Sequence, residues 1–350
     1  MAGQLVGSID TSALGILHDA QLDYYGKRVA VASNDHTVCI WDITDPSQQR
    51  PMGELKAHEG PVWRVSWAHP MFGSLLATCG YDMKVIIWKE AQPGNWQIAY
   101  MDTSHTASVN DVQFCPREYG LRLACASSDG TVSVLSHGPD QQWRRASFPA
   151  HQGGAQSVSW APVHHDRVSE ITSTTMRLAT GGCDSTVAIW KCDNENWMAD
   201  GPPLPAAHTD WVRVVAWQPD GSSVVASGSW DKSVIIWAQE VEGQPWRQRC
   251  RFTAAGKVEG LSWSVTGSIL AVSCGESETT LYKEAIDGKY EEVAKVNEPG
   301  FIEVASSFSA SIGSGVKAEV AEDAGNFSPP AANSGFAQQQ QAVLESFQMM

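Results

Sequence analysis

The sequence predicts an all-β protein built from repeated four-stranded units, and two observations support this. A histidine is followed nine positions later by an aromatic residue, then by an aspartate, then by tryptophans, and this order recurs about every 45 residues. Twelve of the 15 tryptophans fall at three positions of the repeat, so tryptophan marks its register. A period of this length with this order is typical of a β-propeller made of WD repeats.

The second repeat shows how one unit is built. Its runs of β-branched and aromatic residues are short and bounded by Gly, Pro, Asn or Asp, which predicts four antiparallel strands. We place them at Val62 to Trp67, Ser74 to Cys79, Val85 to Trp88 and Trp96 to Tyr100. A four-stranded blade has two faces to cover, so neighbouring blades must stack around an axis.

Six repeats can be counted. The first runs from His18 through Asp35 to Trp41, and the sixth carries Ala254, Val272, Glu276 and Tyr282 at the marker positions. The predicted blades span about 18–57, 58–104, 105–150, 151–207, 208–253 and 254–297, after an N-terminal segment at 1–17. The acidic, low-complexity tail at 298–350 has no strand periodicity and is expected to be disordered.

The marker residues predict a buried hydrogen-bond network inside the blades. The turn aspartate holds the loop histidine, which contacts a hydroxyl on the second strand, which in turn contacts the third-strand tryptophan; such a chain is favourable when every member is satisfied. We therefore interpret these histidines as structural residues and not as metal ligands or catalytic bases. Three repeats carry the full set: His58, Thr78, Asp82 and Trp88; His151, Thr180, Asp184 and Trp190; and His208, Ser227, Asp231 and Trp237.

Whether the six blades form a closed ring bears directly on function. The sixth repeat supplies its own fourth strand at Tyr290 to Val296, and the segment before His18 offers at most one short strand. We expect a gap between blades one and six, where exposed sheet invites strands from another chain. The residues expected to line this gap, or equally to belong to ordinary inter-blade core, are Leu5, Val6, Ile9, Leu22, Tyr24, Val258, Leu261 and Trp263.

Bulk properties exclude several classes of protein. The net charge of -15 disfavours direct binding to nucleic acid, because phosphate contacts need clustered Lys and Arg. No apolar run reaches 18 residues, and Met1 to Asp10 lacks a basic region, so we expect neither a membrane span nor a secretory signal. The eight cysteines form no C-x-x-C pair and are expected to be reduced, without a metal or cofactor.

A gap that accepts strands predicts a non-catalytic scaffold, and two other function classes are alternatives to it. An enzyme is disfavoured, because no nucleophile elbow or phosphate loop appears and the cluster at His164 to Asp166 falls in a long hairpin insertion. The alternative is a closed WD-repeat adaptor that binds peptides on its top face, such as a substrate receptor of a ubiquitin ligase. Partner dependence separates the two readings, since an open ring needs a donor segment and a closed ring does not.

Longer strings resemble the Sec-thirteen family of WD-repeat proteins over roughly Leu14 to Val296. They are HDAQLDYYG, HEGPVWRVSWAHPMFG, DMKVIIWKE, SSDGTVSVL, GGCD and DWVR, beginning at His18, His58, Asp82, Ser127, Gly181 and Asp210. The resemblance implies an open six-bladed propeller that accepts a seventh blade in trans. It implies as partners the large outer subunit of the COPII vesicle coat, an α-solenoid scaffold nucleoporin of the nuclear-pore Y-complex, and a complex that regulates nutrient signalling.

The same resemblance implies where the protein acts. It would serve ER-to-Golgi transport on the cytoplasmic face of the endoplasmic reticulum and on COPII vesicles, and also at the nuclear pore in the nuclear envelope. Contact with membranes would be peripheral, through its partners. The acidic tail, Glu276 and Tyr282 depart from the family pattern and leave partner-specific contacts open.

Overall fold

A computed structural model describes residues 9, 11, 14–45, 49–163, 175–202, 204–241, 243–275, 278–297 and 301–304. Within these ranges the chain forms six antiparallel sheets. Single 3-10 turns follow the first strands of the second and third sheets, at Pro70–Phe72 and Arg117–Tyr119. The predicted fold class, an all-β six-bladed propeller, is confirmed.

Each sheet is one blade, and its strands pair in chain order. Blade one contains β1 Leu17–Leu22, β2 Arg28–Ser33, β3 Thr37–Asp42 and β4 Arg50–Lys56; blade two contains β5 Val62–Trp67, β6 Leu75–Gly80, β7 Val85–Gln92 and β8 Asn95–Asp102. Blade three contains β9 Val109–Phe114, β10 Arg122–Ser127, β11 Thr131–His137 and β12 Trp143–Pro149; blade four contains β13 Ala155–Trp160, β14 Arg177–Gly182, β15 Val187–Asp193 and β16 Asn196–Ala199. Blade five contains β17 Val212–Trp217, β18 Val224–Ser229, β19 Ser233–Ala238 and β20 Arg247–Thr253; blade six contains β21 Val258–Trp263, β22 Ile269–Cys274, β23 Glu278–Glu284, β24 Tyr290–Asn297 and β25 Phe301–Val304.

Blade six differs from the sequence-based expectation at its outer edge. Its fourth strand β24 lies where it was predicted, but a fifth strand, β25, pairs antiparallel with β24. β25 falls in the segment that was expected to be disordered from residue 298 onward. The rest of that segment, from residue 305, lies outside the described residues.

The turn between the second and third strands has a recurrent backbone shape. The residue after the turn aspartate has a positive φ, as at Met83 (65°) and Lys232 (67°). Blade three has Gly130 at this place, with φ 85°. Glycine adopts this conformation at little cost, whereas blades one, two, four and five place residues with side chains there at some strain.

The innermost strands β1, β5, β9, β13, β17 and β21 pack side by side in chain order around a central axis. Side chains of one inner strand accept hydrogen bonds from the backbone of the next. Asp19 accepts from Val65 at 3.0 Å, and Ser159 accepts from Trp217 at 2.9 Å. Within the described ranges, β21 has no packing of comparable extent against β1, so the series does not close on itself.

Candidate functional site

The blade-two network has the predicted geometry. His58 Nδ1 lies 3.0 Å from the Asp82 carboxylate, and His58 Nε2 lies 2.8 Å from Thr78 Oγ1. Trp88 Nε1 donates to the same Thr78 oxygen at 3.0 Å. His58 is 8% exposed and Thr78 is fully buried, so the blade satisfies a polar chain in its interior.

Blades four and five repeat this arrangement. His151 Nε2 lies 2.8 Å from Thr180 Oγ1, and Trp190 Nε1 donates to that oxygen at 2.9 Å. The same two distances recur in blade five among His208, Ser227 and Trp237. The turn aspartates Asp184 and Asp231 hold the histidine Nδ1 at 3.0 and 3.3 Å.

The turn aspartates are held as carboxylates. Burial alone would raise the pKa of Asp184, but hydrogen bonds from His151 and Thr186 lower that pKa to about 2. For Asp231, hydrogen bonds from Ser233 and the Thr209 amide likewise overcome burial and lower the pKa to about 2. An ionised carboxylate accepts several hydrogen bonds at once, so each aspartate fixes both its own turn and the preceding loop.

Blade three contains a network that the sequence reasoning missed. Cys125 stands where blades two, four and five carry a hydroxyl residue. His105 Nε2 instead lies 2.8 Å from Ser133 Oγ. Ser133 lies on β11 and pairs with Cys125 across the two strands. His105 Nδ1 contacts Asp129 at 2.9 Å, and hydrogen bonds from Thr131 and His105 outweigh burial and lower the pKa of Asp129. The signal was a serine directly opposite the missing hydroxyl, which is visible only once the strand register is known.

Among the described residues, blade one has no equivalent of His58. His18 lies within β1 and pairs edge to face with Trp63 of blade two, so assigning it as the loop histidine was wrong. The strand register places the equivalent position before β1 begins. Asp35 instead accepts from Thr37, and Val31 occupies the hydroxyl position.

Among the described residues, five apolar clusters are shared between consecutive blades. They join blades one and two, two and three, three and four, four and five, and five and six. Two further clusters belong to a single blade each. One, the blade-one open cluster, contains Ile9, Leu17, Ala20, Val29 and Val31; the other, the blade-six open cluster, contains Ala271, Leu281 and Ala294.

The two open clusters lie on the faces that a closed ring would bring together. In blades two to five, one face of the sheet packs on the preceding blade and the other packs on the following blade. We call these the rear face and the forward face. Val29 and Val31 lie on the rear face of blade one, and Ala271 and Leu281 lie on the forward face of blade six. In the described residues neither face shares a cluster with another blade, and we call the clusters open in this sense only, because their residues are at most 7% exposed.

A central cavity lies next to the blade-six forward face. It has a volume of about 500 Å³ and is lined mainly by the inner strands of all six blades. At blade six it continues past β21 to Ala271 and Ser273 on β22. No second-strand residue of blades one to five is among its described lining residues, whereas Ala271 and Ser273 extend it sideways beside the blade-six forward face.

Three of the residues expected at the gap lie at or near blade one. Ile9 is buried in the blade-one open cluster, and Leu22 packs against it while also lining the central cavity. Tyr24 is 65% exposed in the β1–β2 turn and contacts His69 of blade two, so it does not face blade six. Leu5 and Val6 lie outside the described residues.

The three blade-six residues expected at the gap are on the other side of the blade. Val258, Leu261 and Trp263 belong to the cluster shared with blade five. Trp263 Nε1 also donates to the Ala216 carbonyl of blade five at 3.1 Å. The expectation that they line the gap was wrong, because sequence periodicity does not reveal which neighbour a face meets.

Other candidate chemistry is sparse. All eight cysteines are free, and burial raises the pKa of the Cys115 thiol to about 12 and that of Cys39 to about 11. In the part of the chain that the structure describes, no group of three or more His, Cys, Asp or Glu residues could hold a metal ion. No described helix is long and apolar enough to cross a membrane. The cluster at His164 to Asp166 lies outside the described residues.

Comparison with known proteins agrees with this architecture. The family model "WD domain, G-beta repeat" matches residues 5–42, 49–89, 97–135 and 203–238. "Protein SEC13 homolog" of Drosophila melanogaster is 41% identical over 82% of this chain and 82% of its own length. The chain belongs to the SEC13 family. "Protein transport protein SEC13" of Yarrowia lipolytica is 44% identical over 81% of the chain and 97% of its own length, and that of Mycosarcoma maydis is 37% identical over 83% and 94%.

Proposed function

We propose that this SEC13-family chain is a non-catalytic scaffold in vesicle transport that accepts strands of a partner between blades one and six. The observation that carries the proposal is the pair of open clusters, each confined to one blade. The names of the relatives, which describe protein transport proteins, supply the cellular process.

The rear face of blade one supports an apolar contact. Val29 and Val31 carry aliphatic side chains there, and Trp41 packs against the same cluster. Apolar burial contributes roughly 25 cal/mol per Å². A blade inserted between two sheets would contact both of them. The buried area would then reach the size of obligate interfaces, about 2,000 Å² or more.

The proposed assembly is the outer COPII coat, with the large outer-coat subunit as the donor of the seventh blade. A second pool would bind the α-solenoid scaffold nucleoporin of the nuclear-pore Y-complex, and a third the nutrient-signalling complex. The chain would then act at the cytoplasmic face of the endoplasmic reticulum, on COPII vesicles and at the nuclear pore. A net charge of -15 favours protein partners over direct contact with nucleic acid.

A non-catalytic role is supported by how the blades use their histidines. His58, His105, His151 and His208 each engage both ring nitrogens inside a blade. A general base needs a ring nitrogen directed at a substrate. These four rings are 8% exposed or less, and they hold turns together.

Hydrogen exchange on the unmodified chain tests the proposal. The chain would be titrated with the purified large outer-coat subunit, and amide exchange would be followed strand by strand. We expect slower exchange in β2 and β22, beside the gap, and no change in β10 and β14, which lie between other blades. A stable monomer with no affinity for the subunit would instead favour the closed adaptor.

A charge placed in the gap provides the matched variant. Ala271→Glu puts a carboxylate on the blade-six forward face and should weaken binding of the subunit more than 100-fold, because an inserted strand would cover the charge without pairing it. Ala271 is 1% exposed in the free chain, so urea unfolding of the free variant checks its fold. Ile98→Glu places the same charge on β8, where Ile98 is 46% exposed, and should bind like the wild type. Equal binding by both variants would contradict the gap as the partner site.

A further inference from the structure

The forward face of each blade carries one cross-strand pair that can be compared around the whole ring. The pair joins the second and third strands next to the turn. The six pairs are Ala32–Val38, Cys79–Val85, Ala126–Val132, Gly181–Val187, Gly228–Val234 and Ser273–Thr279. Five join a small residue or cysteine to valine, whereas blade six alone has two hydroxyl residues.

The five apolar pairs meet apolar partners. The valines of these pairs belong to the shared clusters, which also contain the first residue of the next inner strand, such as Val212 or Val258. A Cβ built on Gly181 would lie 2.6 Å from the Val212 side chain, which shows how closely that residue approaches. In blades one to five, the cross-strand pair therefore packs against the first residue of the inner strand of the next blade.

The blade-six pair is polar and buried. Ser273 is 5% exposed and Thr279 is fully buried, and their hydroxyl oxygens lie 3.2 Å apart. Two hydroxyls carry two protons, and a mutual hydrogen bond uses only one of them. No other hydrogen bond of either hydroxyl is found among the described residues. A buried hydroxyl without a second partner costs free energy, so the pair is suited to receive a polar group.

We propose that Ser273 and Thr279 determine which strand the gap accepts; this inference rests on the proposed function. The inserted strand nearest the central axis presents a hydrogen-bonding side chain, such as Ser, Thr, Asn or Gln, where blades two, three, five and six present valine. Its carbonyl or hydroxyl oxygen accepts from the free hydroxyl of the pair. The pair thus distinguishes a donated blade from this chain's own blades, whose first inner-strand residues are apolar.

The position of the pair supports access from the gap. Ser273 and Ala271 are the second-strand residues that line the central cavity. The same face continues outward over Leu281 and Ala294, which belong to the blade-six open cluster. A donor strand would therefore be recognised by polar contact near the axis and by apolar contact farther out.

The test replaces the hydroxyl pair of blade six by the alanine–valine pair found in blades one and three. Ser273→Ala with Thr279→Val removes both hydroxyls at almost unchanged volume, and binding of the purified large outer-coat subunit is measured by calorimetry. We expect affinity to fall about tenfold, as loss of one or two buried hydrogen bonds predicts. The matched control is Thr280→Val, because Thr280 is the next residue on β23 and faces blade five; it should bind within about twofold of the wild type.

The outcomes separate the two proposals. If the wild-type chain does not bind the subunit, the proposed function fails. If the wild type binds and the double variant binds equally or more tightly, the hydroxyl pair does not select the donor and this inference is overturned. Urea unfolding of the free double variant checks folding, and its free energy of unfolding should match or exceed that of the wild type, since two incompletely bonded hydroxyls are removed.

Discussion

Ser133 of blade three supplies to His105 the hydroxyl that Thr78 supplies to His58 in blade two, from the opposite strand of the same hairpin. The two hydroxyl positions face each other across the sheet, so a histidine ring reaches either one at 2.8 Å. The network therefore requires a hydroxyl at a point in space and not at one sequence position.

Ser133→Ala should destabilise the protein by about 2 kcal/mol, because it leaves a buried histidine nitrogen without a partner. Adding Cys125→Thr should recover much of this loss, since the hydroxyl returns to the second strand as in blade two. The free energy of unfolding in urea measures both effects. Ser147→Ala, on the exposed side of β12, is the control and should change little; equal losses for both serines would contradict the role of Ser133.

Asp82 and Asp35 occupy the same turn position in blades two and one but have different partners. Asp82 binds His58 and the backbone amides of Glu59 and Lys84, whereas the hydrogen bonds to Asp35 come from Thr37 and Ser33. Asp82→Asn replaces an acceptor with a donor facing these groups and should cost about 3 kcal/mol, against about 1 kcal/mol for Asp35→Asn. Thermal and urea unfolding of the two variants give the comparison. A loss at Asp35 as large as that at Asp82 would mean that the histidine adds nothing.

The sequence predicted the blades and three of the networks because these depend on local order. A His, a hydroxyl, an Asp and a Trp at fixed spacing are visible along the chain, and so are the short β-branched runs. His18 was misassigned because a histidine inside a strand mimics the loop histidine in a count of spacings. The exchange between Cys125 and Ser133 was missed because it depends on pairing across strands.

The gap residues were the hardest to predict. Alternation along a strand separates its two faces but does not say which face meets the preceding blade. Val258 and Trp263 are on the face toward blade five, and Ala271 is on the other. Only the direction in which the chain travels around the ring decides between them, and that direction is a property of the assembled fold.

The pKa of His208 is lowered by burial, although Asp231 opposes the shift. The neutral ring is thus favoured in the folded state, and the unfolded chain takes up a proton more readily. This contribution to stability is complete above pH 6.5 and is lost as the pH falls from there toward the lower folded pKa. We expect the wild-type free energy of unfolding to decline below pH 6.5, and His208→Asn to lack this part of the decline.

A second acid-dependent loss should follow at lower pH. Asp184 and Asp231 have pKa values of about 2 in the folded protein, against 3.8 for an ordinary aspartate. Their contribution is present above pH 3.8 and is lost as the pH falls through about 2. Urea unfolding in steps from pH 7.5 to pH 3 measures the His208 part and the onset of the aspartate part. Parallel curves for the wild type and His208→Asn between pH 7.5 and pH 5 would contradict the assignment to His208.

Arg28 joins blade one to blade two through several contacts at once. Its guanidinium pairs with Asp23 at 3.2 Å and Glu90 at 2.7 Å, donates to Ser74 at 3.0 Å, and lies 5.0 Å from the centre of the Trp67 ring. Lysine keeps the charge but has a compact ammonium that does not span these groups. Arg28→Lys should therefore cost about 2 kcal/mol, because two mostly buried carboxylates lose donors.

This loss should be local to the end of the ring. Blade one has only one neighbouring blade in the described structure, so weakening that contact should speed amide exchange in β2 and β3 more than in β10 or β14. Arg144→Lys is the control, since Arg144 pairs with Asp140 on the surface at 67% exposure and should change stability by less than about 0.5 kcal/mol. Faster exchange spread evenly over all six blades would show that Arg28 acts on the whole ring, and the clamp between blades one and two would then not explain its effect.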